Sequence, residues 1–199
     1  MSWLTLLMNN TVNHIFDVID DLLKQKDHII IVIDGMACSG KTTLANILLE
    51  KYESRVVHMD HFFLPKELRT EDRFRLPGGN VHFERFNEEV IPTLRSDIKY
   101  RHFNCGLMDY DETIELPLKS VTIVEGTYSS HPVFGKYYDL LIYMEINKED
   151  QLDRIMKRDG EFLLNKFINE WLKYESLYFN EYRIEEKANI ILKDFGINE

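Results

Sequence analysis

The most constraining feature of this chain is an apolar run that leads directly into a glycine-rich segment. Residues 28–34 read His-Ile-Ile-Ile-Val-Ile-Asp, a β-branched run typical of a strand that is buried on both faces of a parallel sheet. Gly35-Met-Ala-Cys-Ser-Gly40-Lys41-Thr42 follows and fits the pattern G-x-x-x-x-G-K-[ST] at every fixed position. Residues 41–52 have the pattern of a helix. This order of strand, glycine loop and helix is the context that the motif requires.

The chemistry of this loop indicates a polyphosphate ligand. Glycines let the backbone turn and come close to phosphates, so that successive N–H groups point into one concavity. The amino-terminal end of helix 41–52 adds partial positive charge. Lys41 supplies a full charge to the β- and γ-phosphates, and the Thr42 hydroxyl is placed to ligate Mg²⁺. The predicted ATP-binding residues are Gly35, Met36, Ala37, Cys38, Ser39, Gly40, Lys41, Thr42 and Thr43.

The charge and the cysteines of the chain limit its partners and its surroundings. Its 199 residues carry a formal net charge of -10, and an acidic surface repels nucleic acids and anionic membranes. We therefore expect no nucleic-acid partner and no membrane partner. Cys38 and Cys105 have no disulfide or metal spacing, which favours a cytoplasmic, reducing location. Residues 1–8 are apolar but short, and we expect neither a signal peptide nor a transmembrane span there.

Strands alternate with helices along the rest of the chain. Strands are predicted at 55–59, 120–124, 139–146 and 188–192, and helices at 11–26, at 84–95 and from 147 to about 186, with an interruption near Gly160. We expect an α/β protein of the P-loop NTPase fold: a mostly parallel sheet flanked by helices, with a helical lid at about 150–185. The length suits a single domain over residues 1–199. Residues 60–83 are expected to form a long, irregular, functional segment.

Three classes of protein use such a loop: GTPase switches, ATPase motors and small-molecule kinases. Residues 147–150 read Asn-Lys-Glu-Asp and match NKxD, a guanine-binding motif, but no Asp stands three residues before any Gly, so the DxxG switch motif is absent. The alternative is a helix whose N-cap is Asn147. A motor normally needs a larger core and an arginine from a neighbour. A small-molecule kinase needs the loop, a carboxylate near the acceptor hydroxyl, and cations that close over the transferring group.

Four side chains supply these parts. Asp60 ends the second predicted strand, at the sheet edge where α/β proteins bind ligands, and can accept the acceptor's proton or hold a water on Mg²⁺. Glu125 ends another strand and can support Mg²⁺ or position Asp60. Arg154 and Arg158 share a helix face and would stabilise the transferring phosphoryl group. A turn Asp, a strand-end acid and a solvated basic face are the ordinary alternatives. The predicted catalytic residues are Lys41, Asp60, Arg154 and Arg158, and the predicted Mg²⁺ ligands are Thr42, Asp60 and Glu125.

The order of these motifs resembles the uridine kinase-like branch of the P-loop kinases, whose relatives include phosphoribulokinase and pantothenate kinase. The resemblance covers about residues 29–192 and rests on the loop, Met59-Asp60-His61-Phe62-Phe63, Val124-Glu125-Gly126 and Arg154-x-x-x-Arg158-Asp159. It implies that the loop binds ATP and Mg²⁺, that Asp60 is the base, and that both arginines belong to a lid. The substrate-binding residues that it implies are Asp60, His61, Phe62, His82, Tyr100 and His102.

The acceptor stays open at this stage. Phe63 stands where uridine kinases usually carry Tyr, and residues 78–82 replace a segment rich in Asp, His and Pro. An unusual aromatic run, residues 167–179, includes Glu175 and Tyr178. We expect an ATP-dependent kinase for a small-molecule hydroxyl, such as that of uridine or cytidine. The alternatives are a kinase for another metabolite alcohol, a GTPase, or a non-catalytic nucleotide-dependent binding protein, and a homo-oligomer stays open.

Overall fold

The computed structural model describes residues 3–196, and side chains from residue 11 onward. The strands are β1 (Ile29–Gly35), β2 (Ser54–His58), β3 (Ile98–Asn104), β4 (Asp109–Leu116), β5 (Val121–Glu125), β6 (Leu140–Glu145) and β7 (Ile190–Lys193). The helices are α1 (Trp3–Leu23), α2 (Lys41–Lys51), α3 (Glu71–Arg75), α4 (Phe83–Glu89), α5 (Lys148–Lys166), α6 (Leu172–Tyr182) and α7 (Ile184–Lys187), with a π-helical turn at Phe167–Trp171 between α5 and α6.

The central sheet is parallel and has the strand order β2-β5-β1-β6-β7. Strand β1 lies in the middle, and all of its residues are buried. A continuous apolar strand can occupy this place because both faces of the sheet are covered. The predicted fold class, a mostly parallel sheet flanked by helices, is confirmed. Strands β3 and β4 form a separate antiparallel hairpin.

Alternate residues of β1 belong to two apolar layers. Ile29, Ile31 and Ile33 pack in the layer that contains residues of α1 and α2. Ile30 and Val32 point the other way, into the layer that contains residues of α4 and α6. Burial of an aliphatic side chain of this size stabilises a fold by about 1.5–3 kcal/mol, so this strand is a main anchor for the loop that follows it.

The predicted irregular segment between β2 and α4 contains short helices and is held by one arginine. The guanidinium of Arg73 donates to the carbonyl oxygens of Gly79 and Val81, both at 2.9 Å, and to the Glu84 carboxylate at 2.6 and 2.8 Å. It also lies 3.7 Å from the centre of the Phe83 ring. The segment is therefore irregular but well tied to the start of α4.

One helix boundary differs from the sequence pattern, and one predicted interruption is present. Helix α1 begins at Trp3, earlier than its periodicity indicated. The predicted interruption near Gly160 is present, since that residue has φ 79° and ψ 174° inside α5. Within residues 3–196, no helix combines the length and the apolar character that crossing a membrane would need.

Candidate active site

The glycine loop connects β1 to α2 and has the geometry of an anion cradle. Gly35 has φ 145°, and a Cβ at this position would lie 2.1 Å from the carbonyl oxygen of Met144 on β6. Gly40 and Cys38 also have positive φ, 98° and 59°. Such reversals of the backbone turn successive N–H groups towards one side. Because α2 begins at Lys41, the amino-terminal end of this helix faces the same concavity.

Lys41 brings a positive charge to this loop. Its Nζ donates to the carbonyl oxygens of Gly35 at 3.0 Å and Met36 at 2.7 Å, and the side chain is mostly buried. The ammonium group is therefore folded over the first half of the loop. An acidic protein that binds a polyphosphate needs such a local cation.

Thr42 and Glu125 lie together at the carboxyl ends of the parallel strands. The Thr42 hydroxyl is 3.4 Å from both carboxylate oxygens of Glu125, whose Oε1 lies 2.6 Å from His58 Nδ1. The hydrogen bond to Glu125 raises the pKa of His58. Hydroxyl and carboxylate oxygens are the donors that Mg²⁺ prefers. Two of the three predicted Mg²⁺ ligands therefore meet in one place.

Asp60 follows β2 in a 3₁₀ helix, Met59–Phe62, and lies in the same electrostatic environment. Asp60 is exposed to solvent on one side. The surrounding protein displaces water from its carboxyl group and so raises its pKa, and the Glu125 carboxylate raises the pKa further. The charges of Lys41 and Arg158 act in the opposite direction. The pKa of Asp60, the candidate base, thus depends on the charges of Lys41 in the loop and Arg158 in the predicted lid.

The two predicted lid arginines differ in their contacts. Arg154 lies against the loop, because its Nη1 is 3.2 Å from the carbonyl oxygens of both Cys38 and Phe195. Arg158 is paired with its neighbour Asp159 at 2.8–3.0 Å, and its side chain is largely exposed. One arginine therefore supports the loop, while the other places a positive charge close enough to Asp60 to lower its pKa.

Three of the predicted substrate residues, His61, Tyr100 and His102, form one group, and His61 directly follows Asp60 in the chain. His61 Nδ1 lies 2.9 Å from the Tyr100 hydroxyl, and the His61 ring centre is 4.2 Å from that of His102. His102 Nδ1 in turn lies 2.6 Å from Oδ1 of Asp111. Burial, aided by the charges of His102 and His58, lowers the pKa of His61 to about 4. Its imidazole is therefore neutral near pH 7.

Two other predicted substrate residues have structural contacts. The Phe62 side chain is fully buried, packs on Phe86 and Tyr100, and lies under the guanidinium of Arg85 at 4.3 Å, so it supports the site from the core. His82 caps α4, where its Nδ1 accepts from the backbone N–H of Arg85 at 3.4 Å.

The predicted GTPase motif is used as a helix cap. Asn147 Oδ1 accepts from the backbone N–H of Asp150 at 3.0 Å. Its Nδ2 donates to the carboxylates of Asp150 at 2.6 Å and Asp194 at 3.1 Å. These contacts favour the capping interpretation over guanine binding.

Sequence reasoning missed two buried acids that hold the loop. Asp34 is fully buried, and Glu175 of α6 is nearly so. Asp34 accepts from the backbone N–H of Gly35 at 2.7 Å, and Glu175 accepts from that of Ala37 at 2.6 Å. The available signal for Asp34 was an acid at the end of an otherwise apolar strand. Glu175 gave no local signal beyond its place in an aromatic run.

Known proteins similar to this chain are kinases. No family model matches it. It is 28% identical to a uridine kinase of Ureaplasma parvum serovar 3 over 182 residues, 84% of this chain and 87% of the relative. It is 24% identical to a uridine kinase of Mycoplasma pneumoniae over 189 residues, 85% and 87% of the two chains.

Two solved structures with a similar fold carry the names of kinases. A structure described as a possible uridine kinase from Bacillus stearothermophilus matches with a TM-score of 0.65 and 19% identity over 90% of this chain and 99% of the other. D-glycerate 3-kinase from Cryptococcus neoformans var. grubii matches with a TM-score of 0.58 and 12% identity over 86% and 88%. The expected P-loop NTPase fold is confirmed, and the sequence of the chain is similar to those of uridine kinases.

Proposed function

We propose that this protein transfers the γ-phosphate of ATP to a hydroxyl of a nucleoside, with uridine and cytidine as the first candidates. The observation that carries this proposal is the convergence of four side chains at the carboxyl ends of β1, β2 and β5. They are the loop lysine, the hydroxyl–carboxylate pair and the candidate base: Lys41, Thr42, Glu125 and Asp60.

ATP and Mg²⁺ fit the residues at this edge. The concave loop and the ammonium group of Lys41 suit the polyphosphate, and the oxygens of Thr42 and Glu125 suit a hard cation. The charges of Glu125 and Lys41 act on Asp60, so its carboxylate lies near enough to hold a water bound to that cation. When bound, Mg²⁺ would be held by Thr42 and Glu125 and would neutralise the charge that develops in transfer.

Each protein group then has one task. Asp60 accepts the proton of the attacking hydroxyl, and the nearby Glu125 charge, which raises the pKa of Asp60, makes it a better base. Lys41 holds the phosphates, and Arg158, carried by α5, stabilises the transferring group. Because the transition state is mostly a problem of position and charge, no covalent intermediate on the protein is needed.

The His61–Tyr100–His102 group supports a nucleoside acceptor. It offers the neutral imidazole of His61, which can hydrogen-bond to the polar edge of a base, and aromatic faces against which a base can stack. The curated relatives named uridine kinase point to the same class. Another metabolite alcohol is the second candidate, because the D-glycerate 3-kinase shares the fold.

An acceptor panel tests the proposal. Purified protein is mixed with Mg²⁺ and ATP, and ADP release is measured with uridine, cytidine, adenosine, guanosine, D-glycerate or pantothenate against a sample without acceptor. We expect uridine or cytidine to stimulate ADP release most strongly. GTP in place of ATP tests the GTPase alternative. Stimulation by none of these compounds would favour a nucleotide-dependent binding protein.

Asp60→Asn is the matched control for the chemistry. The substitution keeps the size of the side chain and removes the base, so turnover should fall by ~10²–10⁴-fold while ATP still binds. Calorimetry with Mg²⁺ and ADP measures the binding, and the panel assay measures the turnover. Near-normal turnover in Asp60→Asn would remove the base assignment and leave the kinase assignment standing.

A further inference from the structure

A buried carboxylate of α6 contacts the phosphate loop directly. Glu175 Oε2 accepts from the backbone N–H of Ala37 at 2.6 Å, and the residue is only 5% exposed. Burying a carboxylate beside a site for anions is unfavourable unless specific contacts compensate it. The contacts around Glu175 therefore indicate what the group is for.

Gln151 of α5 completes the contact. Its Nε2 donates to the carbonyl oxygen of Ala37 at 3.1 Å and to Oε1 of Glu175 at 3.0 Å, and it is 2% exposed. Both backbone polar groups of Ala37 thus form hydrogen bonds with side chains of α5 and α6, the two helices of the predicted lid. The three residues form a closed, buried hydrogen-bonded unit, which we call the Ala37 clamp.

The same two helices also contact the end of β1 and the next residue of the loop. Tyr178 lies three residues after Glu175 on the same face of α6, and its hydroxyl donates to Oδ2 of Asp34 at 2.7 Å. Arg154 lies three residues after Gln151 on α5 and donates to the carbonyl oxygen of Cys38. The Ala37 clamp is therefore the central contact between the lid helices and the first half of the loop.

We propose that Glu175, together with Gln151, is a positioning residue that holds Ala37 in the phosphate-binding shape of the loop before the nucleotide arrives. It also fixes the loop relative to α5, the helix that carries Arg158. A preorganised cradle binds more tightly because less ordering remains to be done on binding. This inference rests on the proposed function, since the ligand of the loop is the polyphosphate of ATP.

Glu175 can accept the hydrogen bond from Ala37 whether or not its carboxyl group is ionised. Burial raises the pKa of this carboxyl, and Asp34 also raises it, while Lys41 and the hydrogen bonds from Ala37 and Gln151 lower it. Either protonation state leaves an oxygen for the Ala37 N–H. Glu175→Gln keeps an oxygen for the Ala37 N–H but turns an NH₂ towards the Gln151 amide, whereas Glu175→Ala removes both oxygens.

The first test measures binding of Mg²⁺–ADP by calorimetry. Because the buried N–H of Ala37 loses its acceptor, Glu175→Ala should weaken binding by about 10- to 100-fold, and Glu175→Gln should recover part of the loss. Glu181→Ala changes an exposed acid on the same helix and should bind within about 2-fold of wild type. In turnover assays, Glu175→Ala should raise KM for ATP without raising KM for the acceptor.

The second test needs no nucleotide. Amide hydrogen exchange of Ala37, followed by NMR, should speed up by more than about 10-fold in Glu175→Ala and stay unchanged in Glu181→Ala. Should Glu175→Ala fail to fold, Gln151→Ala removes the other half of the clamp and takes its place. If Glu175→Ala binds Mg²⁺–ADP as tightly as the wild type does, this inference is overturned and the proposed function stands. A wild-type protein that binds no nucleotide overturns the proposed function as well.

Discussion

Asp34 gives the sharpest test of how the fold holds the loop. The residue is fully buried, and burial raises its pKa. Its Oδ1 accepts from the backbone N–H groups of Gly35 at 2.7 Å and Tyr128 at 3.1 Å. Its Oδ2 accepts from the N–H of Ser130 at 2.9 Å, the hydroxyl of Ser130 at 2.5 Å and that of Tyr178 at 2.7 Å. One carboxylate thus joins β1, the segment after β5, and α6.

Asp34→Asn changes this network without changing its volume. If the new NH₂ replaces Oδ2, the hydroxyls of Ser130 and Tyr178 can rotate to accept from it, but the backbone N–H of Ser130 then faces another donor. A buried donor without a partner costs about 1–3 kcal/mol, and bonds that lose their charge weaken by about 1 kcal/mol each. Relief of the buried charge offsets part of this. We expect a net loss of about 3 kcal/mol in the free energy of unfolding.

Urea unfolding followed by circular dichroism measures this loss. For a chain of this size, 3 kcal/mol should lower Tm by roughly 6–12 °C. Asp72→Asn is the control, because its side chain is 91% exposed and should change stability by less than about 0.5 kcal/mol. A loss below about 1 kcal/mol in Asp34→Asn would refute the reasoning, because the network would then not depend on a charged acceptor.

Three further predictions follow from single positions. Gly35→Ala forces a Cβ against the carbonyl oxygen of Met144 and should cost more than about 3 kcal/mol in unfolding free energy, measured in urea. Asn147→Ala removes a helix cap and should cost about 1 kcal/mol while leaving the preference between ATP and GTP unchanged in the acceptor panel. His61 has a folded pKa of about 4, below its unfolded value near 6.5, so its contribution to stability is complete above pH 6.5 and is lost as pH falls towards 4. Because the His61 ring is partly exposed, solvent screening keeps this loss below about 1 kcal/mol between pH 7 and pH 5, and urea unfolding of His61→Asn at both pH values should show a smaller fall than wild type. An equal fall in wild type and variant would contradict the His61 assignment.

The parts of the fold that were predictable depend on local pattern. Strand β1, the glycine loop and α2 are encoded by adjacent residues: an apolar run, two glycines at fixed spacing and a helical segment. The cap at Asn147 and the break at Gly160 are equally local. Such signals need no knowledge of distant partners, and the predicted elements agree with the observed ones to within a few residues, apart from the beginning of α1 and the shortened α4.

The parts that were not predictable depend on partners far along the chain. Glu175 binds Ala37 across 138 residues, and Tyr178 binds Asp34 across 144. The sequence pattern also gave no direction for Phe62, whose ring points into the core although its neighbours Asp60 and His61 belong to the cleft. The roles of the site residues stay predictions until the variants are measured.

The most direct test of the central claim follows the γ-phosphate itself. Wild-type protein, ATP labelled at the γ-phosphate, Mg²⁺ and uridine or cytidine are incubated together, and the products are separated with and without EDTA. The account predicts a labelled nucleoside monophosphate, its absence when Mg²⁺ is chelated, and a loss of at least ~10²-fold in Lys41→Ala. Folded wild-type protein that binds Mg²⁺–ATP and leaves the label on ATP or in inorganic phosphate, with every acceptor of the panel, would contradict it.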